Sequence, residues 1–176
     1  LMVLILCLGM FGLGTGLGIA KAYIQSAPEL NLTLITDQDQ SSTLYDVNGD
    51  AITTMMLYRN SENASLDEIP GMLQNAFIAV EDVRFFSHQG VDLKRLASAG
   101  IGTLTGGFSG GGSIITQQLI KLQILGSEQS YRRKVQEAYL ALELEERYSK
   151  EEILEAYLNS VPLGSQNYGV KAAAKD

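Results

Sequence analysis

The chain has 176 residues, with 20 Asp and Glu against 13 Lys and Arg, and a formal net charge of −7. That balance argues against a nucleic-acid partner, because phosphate binding needs a basic surface. One cysteine and one histidine exclude a disulfide framework, a Cys-based zinc site and any site that needs two imidazoles.

Residues 1–20 carry no charge, and with Ala22, Tyr23 and Ile24 beyond Lys21 the apolar run over 1–24 is long enough to cross a bilayer as a helix. Gly12 and Gly16 give it a G-x-x-x-G face. A cleaved signal peptide is the alternative, disfavoured by the length and by the lack of a clear small-x-small cleavage site. Residues 25–42 are polar, contain the breaker Pro28, and read as a linker. Two β-prone runs, 43–47 and 51–57, flank Asn48-Gly49-Asp50, which predicts a hairpin.

All that follows reads as helical. Ser65-Leu66-Asp67-Glu68 has capping-box spacing at a helix start, and Pro70 suits an early helical position. Met72, Leu73, Ala76, Phe77 and Val80 recur at helical spacing and predict one buried face, with Glu81 and Asp82 at the helix end. Residues 93–104 predict a second helix, and the glycines between Gly100 and Gly112 predict a mobile loop. Residues 114–125 form an apolar helix containing Lys121. Ser130 can cap a longer helix with a stripe of Val135, Ala138, Tyr139 and Leu142. Ser149-Lys150-Glu151-Glu152 is a second capping box, opening a helix with Ile153, Leu154, Tyr157 and Leu158, which Pro162 and Gly164 end. A first residue other than Met and a stop just after a helix-like Ala172-Ala173-Ala174 run predict a fragment. Its globular domain, 43–176, is then incomplete at the C-terminus.

Four segments carry candidate chemistry. In the first, Glu81-Asp82 is followed by Phe85, His88 and Gly90; a carboxylate placed where apolar periodicity stops suits a general acid or base in a cleft wall. The second runs Gly111-Gly112-Ser113-Ile114-Ile115-Thr116-Gln117-Gln118, then Leu119-Ile120-Lys121. Glycines opening a helix expose backbone N–H groups to an anion, and the side chains add donors. The third, Arg132-Arg133-Lys134 with Glu137, is either a surface i,i+4 pair or a cationic patch for phosphate with Glu137 orienting it. The fourth, 152–159, reads on physics alone as an amphipathic core helix.

In this order and spacing the segments resemble the peptidoglycan glycosyltransferase domain of class A penicillin-binding proteins and monofunctional transglycosylases. That family shows E-D-x-x-F-x-x-H-x-G, G-G-S-T-x-T-Q-Q-x-x-K, R-K-x-x-E and I-L-x-x-Y-L-N. The resemblance runs from about Ser42 to the end. It implies a mainly α fold: a lysozyme-like head, a smaller mobile membrane-proximal lobe, a preceding transmembrane helix and a small hairpin. It implies inverting polymerisation of lipid II into β-1,4-linked glycan on the outer face of the cytoplasmic membrane, with release of undecaprenyl pyrophosphate. By the same resemblance Glu81 is the base, Asp82 supports it and Glu137 is a second carboxylate. Ser113, Thr116, Gln117, Gln118, Lys121, Arg133 and Lys134 bind the donor and its pyrophosphate. Phe85, His88 and Gly90 shape the turn. No protein metal cage is evident, and a divalent cation, Mg or Mn, would sit on the substrate pyrophosphate. The expected partners are lipid II, the lipid-linked nascent glycan, the membrane and other cell-wall synthesis proteins. Ile114, Leu122 and Gln129 depart from the pattern, each removing polarity or charge from the phosphate side. Two other readings stay open: a lytic, lysozyme-like glycan hydrolase and a degenerate paralogue that binds without turnover.

Overall fold

A computed structural model describes residues 2–30, 42–55, 59–92, 113–126, 128 and 130–176. The elements in chain order are α1 (Met2–Gln25), β1 (Ser42–Tyr45), β2 (Ala51–Met55), β3 (Asn60–Ser61), α2 (Gly71–Glu81), a 3₁₀ turn (Phe85–Ser87), α3 (Ile115–Ile120), α4 (Tyr131–Arg147), α5 (Lys150–Ser160), β4 (Asn167–Tyr168) and α6 (Val170–Lys175). The fold is mainly α, as expected. The predicted helix 93–104, the glycine-rich loop and Gln129 lie outside the described residues.

The hairpin forms where predicted. β1 and β2 pair antiparallel from Ser42↔Met55 to Tyr45↔Ala51, with an irregularity between Leu44 and Tyr45. Asp46 organises the turn by accepting from the backbone N–H groups of Asn48 and Asp50, both at 2.8 Å. Gly49 takes φ +88°, a conformation that Asn-Gly turns exist to supply. The all-helical expectation for the rest needs a correction. β3 and β4 form a short parallel pair, Asn60↔Asn167 and Ser61↔Tyr168, which ties the segment before α2 to the segment after α5. Asn159 reinforces this tie: its amide donates to Ala64 O at 2.8 Å and accepts from Ala64 N at 2.9 Å.

The core is built on α3, which packs against α4 and α5. Ile115, Leu119 and Ile120 are fully buried beside Leu140, Leu144, Ile153, Leu154 and Leu158. Each such side chain contributes roughly 1.5–3 kcal/mol of burial free energy. Beyond Ile120 the helix widens into a π turn, Lys121–Leu125, a distortion often found at functional sites. Gly126 ends it with φ +69°.

Two of the three predicted N-caps are present at helix starts. The Ser130 hydroxyl accepts from Arg133 N at 3.1 Å. Ser149 and Glu152 close a capping box, with Ser149 N to Glu152 Oε2 at 2.8 Å and Glu152 N to Ser149 Oγ at 3.2 Å. The box at Ser65–Glu68 closes a separate turn, Ser65 N to Glu68 Oε2 at 3.2 Å. The helix proper starts only after Pro70, at Gly71. Proline keeps the residue before it out of the helical region, so turn and helix cannot fuse.

Two predicted faces are displaced. On α2, Met72 and Val80 are among the most exposed residues, at 86% and 79%. The half-buried positions are Gln74, Phe77, Ile78 and Glu81, an i, i+3, i+4, i+7 stripe that carries the glutamate inward. Gln74 stays on this face because its amide donates to Leu66 O at 2.9 Å and Ile69 O at 2.8 Å. On α4 the buried residues are Arg133, Gln136, Glu137, Leu140, Ala141 and Leu144, while Tyr139 and Leu142 are exposed. Charged groups hold the N-terminal half of that face because they pair with one another, which a hydrophobic count cannot register.

The run expected to anchor the chain is helical over Met2–Gln25, and it packs along α4. Gln136 donates to Tyr23 O at 3.1 Å and to the Ser26 hydroxyl at 3.2 Å, fixing the end of α1. Side chains 4, 5, 8 and 13 lie outside the described set, and over the described residues no helix is long and apolar enough to cross a membrane.

Candidate active site

Helix α2 ends at Glu81, and Asp82 follows as its C-cap with its N–H on Ile78 O at 2.9 Å. The two carboxylates then diverge. Asp82 turns inward and is 1% exposed. Its Oδ2 accepts from His88 Nε2 at 2.9 Å and from the backbone N–H of Ile115 at 3.3 Å. A carboxylate can only accept, so His88 carries its hydrogen on Nε2. Ile115 is the first residue of α3, and that helix has no side-chain cap of its own. Asp82 supplies one from across the fold, where negative charge also complements the helix dipole.

Glu81 stays half-buried at the cleft wall. Its Oε2 accepts from Gln118 Nε2 at 2.8 Å, and the Tyr157 hydroxyl donates to Gln118 Oε1 at 3.3 Å. Glu81 and Asp82 line one wall of a cavity of about 180 Å³ with Ala79, Val80, Val83, Arg84 and Asp92. Arg84 spans that wall, donating from Nε to Asp92 Oδ2 at 2.8 Å. Burial, and then the charge of Glu81, push the Tyr157 phenol pKa above its ordinary value.

The motif's other members form the turn that follows α2. Phe85 is fully buried, edge-on to Phe86 and to His88. Gly90 has φ +71°, and a Cβ there would lie 2.7 Å from the Ala141 carbonyl and the Leu142 Cα. Only glycine allows this approach of the turn to α4. Gly90→Ala is therefore expected to destabilise the fold by about 1–3 kcal/mol through strain and overpacking, read as a lower denaturation midpoint in urea.

The second predicted segment divides in two. Ser113 and Gln117 are half-buried, as is Lys121 at the start of the π turn. Thr116 is fully buried, and its hydroxyl donates to Glu145 Oε1 at 2.5 Å. Its hydroxyl thus serves the interior rather than an open donor site, and Gln118 spends its amide on Glu81 and Tyr157. Ile114, the departure from the family pattern, is 1% exposed and packs as core.

The third segment forms a built cluster. Glu137 is 1% exposed; Arg133 Nε lies 2.8 Å from its Oε1 and Lys134 Nζ 2.5 Å from its Oε2. Lys134 also donates to the Ser113 hydroxyl at 3.0 Å, and Arg133 reaches Gly126 O at 3.4 Å. Glu137 thus orients two cations, and the half-exposed Lys134 brings charge beside the start of α3.

Glu145 and Lys150 lie outside the four motif segments, while Tyr157 falls in the fourth, where the sequence reads only as an apolar core face. Glu145 takes Lys150 Nζ at 2.7 Å and lies 3.9 Å from His88 Nδ1. Lys150 also sits 4.4 Å from the Phe85 ring centroid. Glu145 follows Glu137 by eight residues on one helix face, a spacing that could have revealed it. Among the described residues, no group of three His, Cys, Asp or Glu side chains gathers to hold a metal.

The transglycosylase family model matches residues 48–176. The chain belongs to the transglycosylase family. The match covers the carboxylate pair, α3 and the Arg133–Lys134–Glu137 cluster alike. Penicillin-binding protein 1A of Clostridium perfringens is 45% identical over 157 residues, covering 86% of this chain and 23% of that protein. The Clostridium tetani protein of the same name is 37% identical over 178 residues, covering 98% of the chain and 22% of the relative. Penicillin-binding protein 1A/1B of Bacillus subtilis is 38% identical over 173 residues, covering 98% and 19%. The chain therefore spans about a fifth of the length of the curated relatives it matches. What it shares with them is a transglycosylase domain of the class A penicillin-binding protein kind, a peptidoglycan glycosyltransferase by family.

Proposed function

We propose that this transglycosylase domain polymerises lipid II into β-1,4-linked peptidoglycan glycan. Glu81 takes the proton from the 4-hydroxyl of the acceptor sugar. That oxygen bonds to the anomeric carbon of the growing chain from the opposite face. The carbon–oxygen bond to undecaprenyl pyrophosphate breaks, and the leaving group departs with the electron pair. The observation that carries the reading is the placement of Glu81. It stands on the inward face of α2, at a cleft, and is held through the Gln118 amide.

The charge that develops on the pyrophosphate needs cations already in place. Arg133 and Lys134, gathered on Glu137, are assigned that part, with Ser113, which Lys134 touches, and Lys121 and Gln117 as further donors. Asp82 and His88 hold the start of α3 against α2, so the base and the phosphate side keep one geometry. The donor set does not fit a protein-held metal, because Glu137 already carries two cations. A divalent cation, Mg or Mn, would arrive on the substrate, and no step is routed through it.

The apolar helix α1 supports membrane attachment. Residues 1–20 carry no charge, so this run can associate with the apolar phase of a bilayer. Attachment on the outer face of the cytoplasmic membrane would keep the site near a substrate whose polyprenyl tail stays in the bilayer.

The test is incubation of the full chain with labelled lipid II in detergent, with products resolved on a gel. A ladder of glycan is the expected result. Cleavage of preformed glycan would favour a hydrolase, and binding without product a non-catalytic paralogue; either outcome would overturn the proposal.

A further inference from the structure

Gln118 bridges two groups of opposite hydrogen-bonding need. An ionised carboxylate accepts and cannot donate, so the amide must turn its NH₂ toward Glu81. That leaves its carbonyl oxygen facing Tyr157, which must then donate. The distances agree with this order, 2.8 Å from Gln118 Nε2 to Glu81 Oε2 and 3.3 Å from the Tyr157 hydroxyl to Gln118 Oε1. A flipped amide would put its carbonyl against the carboxylate and lose both contacts.

Tyr157 is well placed to enforce the choice. Its side chain is 1% exposed, and the Phe77 ring packs edge-on to it at 6.3 Å. Its phenol is held in the protonated form, the only form that donates, first by burial and then by the charge of Glu81. It also stands on α5, while Gln118 stands on α3 and Glu81 on α2, so one chain of contacts links three helices.

We infer that Tyr157 is a positioning residue for Glu81, acting through the Gln118 amide, whose orientation it fixes. This rests on Glu81 being the base of the proposed polymerisation. Tyr157 touches no substrate in this account. It locks the donor that aims the carboxylate, so its loss should slow the chemical step and leave substrate binding alone.

The experiment is a double-mutant cycle in the full chain, with lipid II polymerisation rates read as kcat and KM. Tyr157→Phe keeps the ring against Phe77 and removes only the hydroxyl. It is expected to lower kcat about three- to tenfold, with KM unchanged. Gln118→Leu should lower kcat further, and adding Tyr157→Phe to it should change nothing more, because the hydroxyl then has no amide to orient. Gln118→Asn, which keeps the amide but shortens its reach, should fall to the Gln118→Leu rate; it serves as the test if Tyr157→Phe lowers the thermal midpoint too far to assay. Unchanged kcat in Tyr157→Phe, a shift confined to KM, additive losses in the double variant, or full activity in Gln118→Asn would each overturn the inference. Glu81→Gln is assayed in parallel. If it polymerises normally, the base assignment fails and this inference with it. If it is inactive and the cycle is additive, only the role of Tyr157 fails.

Discussion

Glu81→Gln is expected to lower the rate of glycan polymerisation by roughly a hundred- to ten-thousand-fold, the usual contribution of a positioned general base. That corresponds to about 3–5 kcal/mol of transition-state stabilisation. The substitution is nearly isosteric, and the Gln118 side chain can still meet an amide oxygen at position 81. Fold and substrate binding should therefore survive, and the loss should fall on kcat. Asp82 offers no substitute. It is 1% exposed, and its Oδ2 is engaged by His88 and by the first N–H of α3. Initial rates with labelled lipid II, with the thermal midpoint as a folding control, check this.

The second large effect is on stability. Glu137→Ala is expected to destabilise the domain by roughly 3–5 kcal/mol, because it leaves the buried Arg133 guanidinium without its carboxylate. For a chain of this size that is a fall in melting temperature of about 10 °C. Removing the Glu143 partner of Arg147, a half-exposed pair on the same helix, should cost less than about 1 kcal/mol. Thermal unfolding of the two variants side by side distinguishes a buried cationic cluster from ordinary surface pairing. An apolar replacement of Arg133 in the Glu137→Ala background should recover part of the loss, since what is costly is the unpaired charge and not the missing bridge.

Local signals in the sequence located most elements but not the faces they bury. Asn48-Gly49, Ser130 and Ser149-Glu152 act within a few residues, so hairpin and caps formed where expected. The apolar stripe of α5 was also legible, because nothing polar competes for Ile153, Leu154, Tyr157 and Leu158. On α4 the stripe was misplaced, because Arg133, Gln136 and Glu137 enter the interior by satisfying one another and the end of α1. On α2, Met72 and Val80 read as core, while Gln74 holds an inward position through two backbone carbonyls. The order of motifs singled out Glu81, Asp82 and the cation cluster as candidates. It could not show that Thr116 turns to Glu145, or that Gln118 turns to Glu81, since those pairings join residues 29 and 37 apart. The 2–2 pairing of β3 with β4 was illegible for the same reason: two-residue strands have no periodicity to detect.

The most direct test of the account compares wild-type and Glu81→Gln proteins in a single turnover, with labelled lipid II bound to equal occupancy. Glu81 as the aimed base predicts equal binding, rapid glycan bond formation by the wild type and almost none by the variant. Bond formation by Glu81→Gln at the wild-type rate would contradict it.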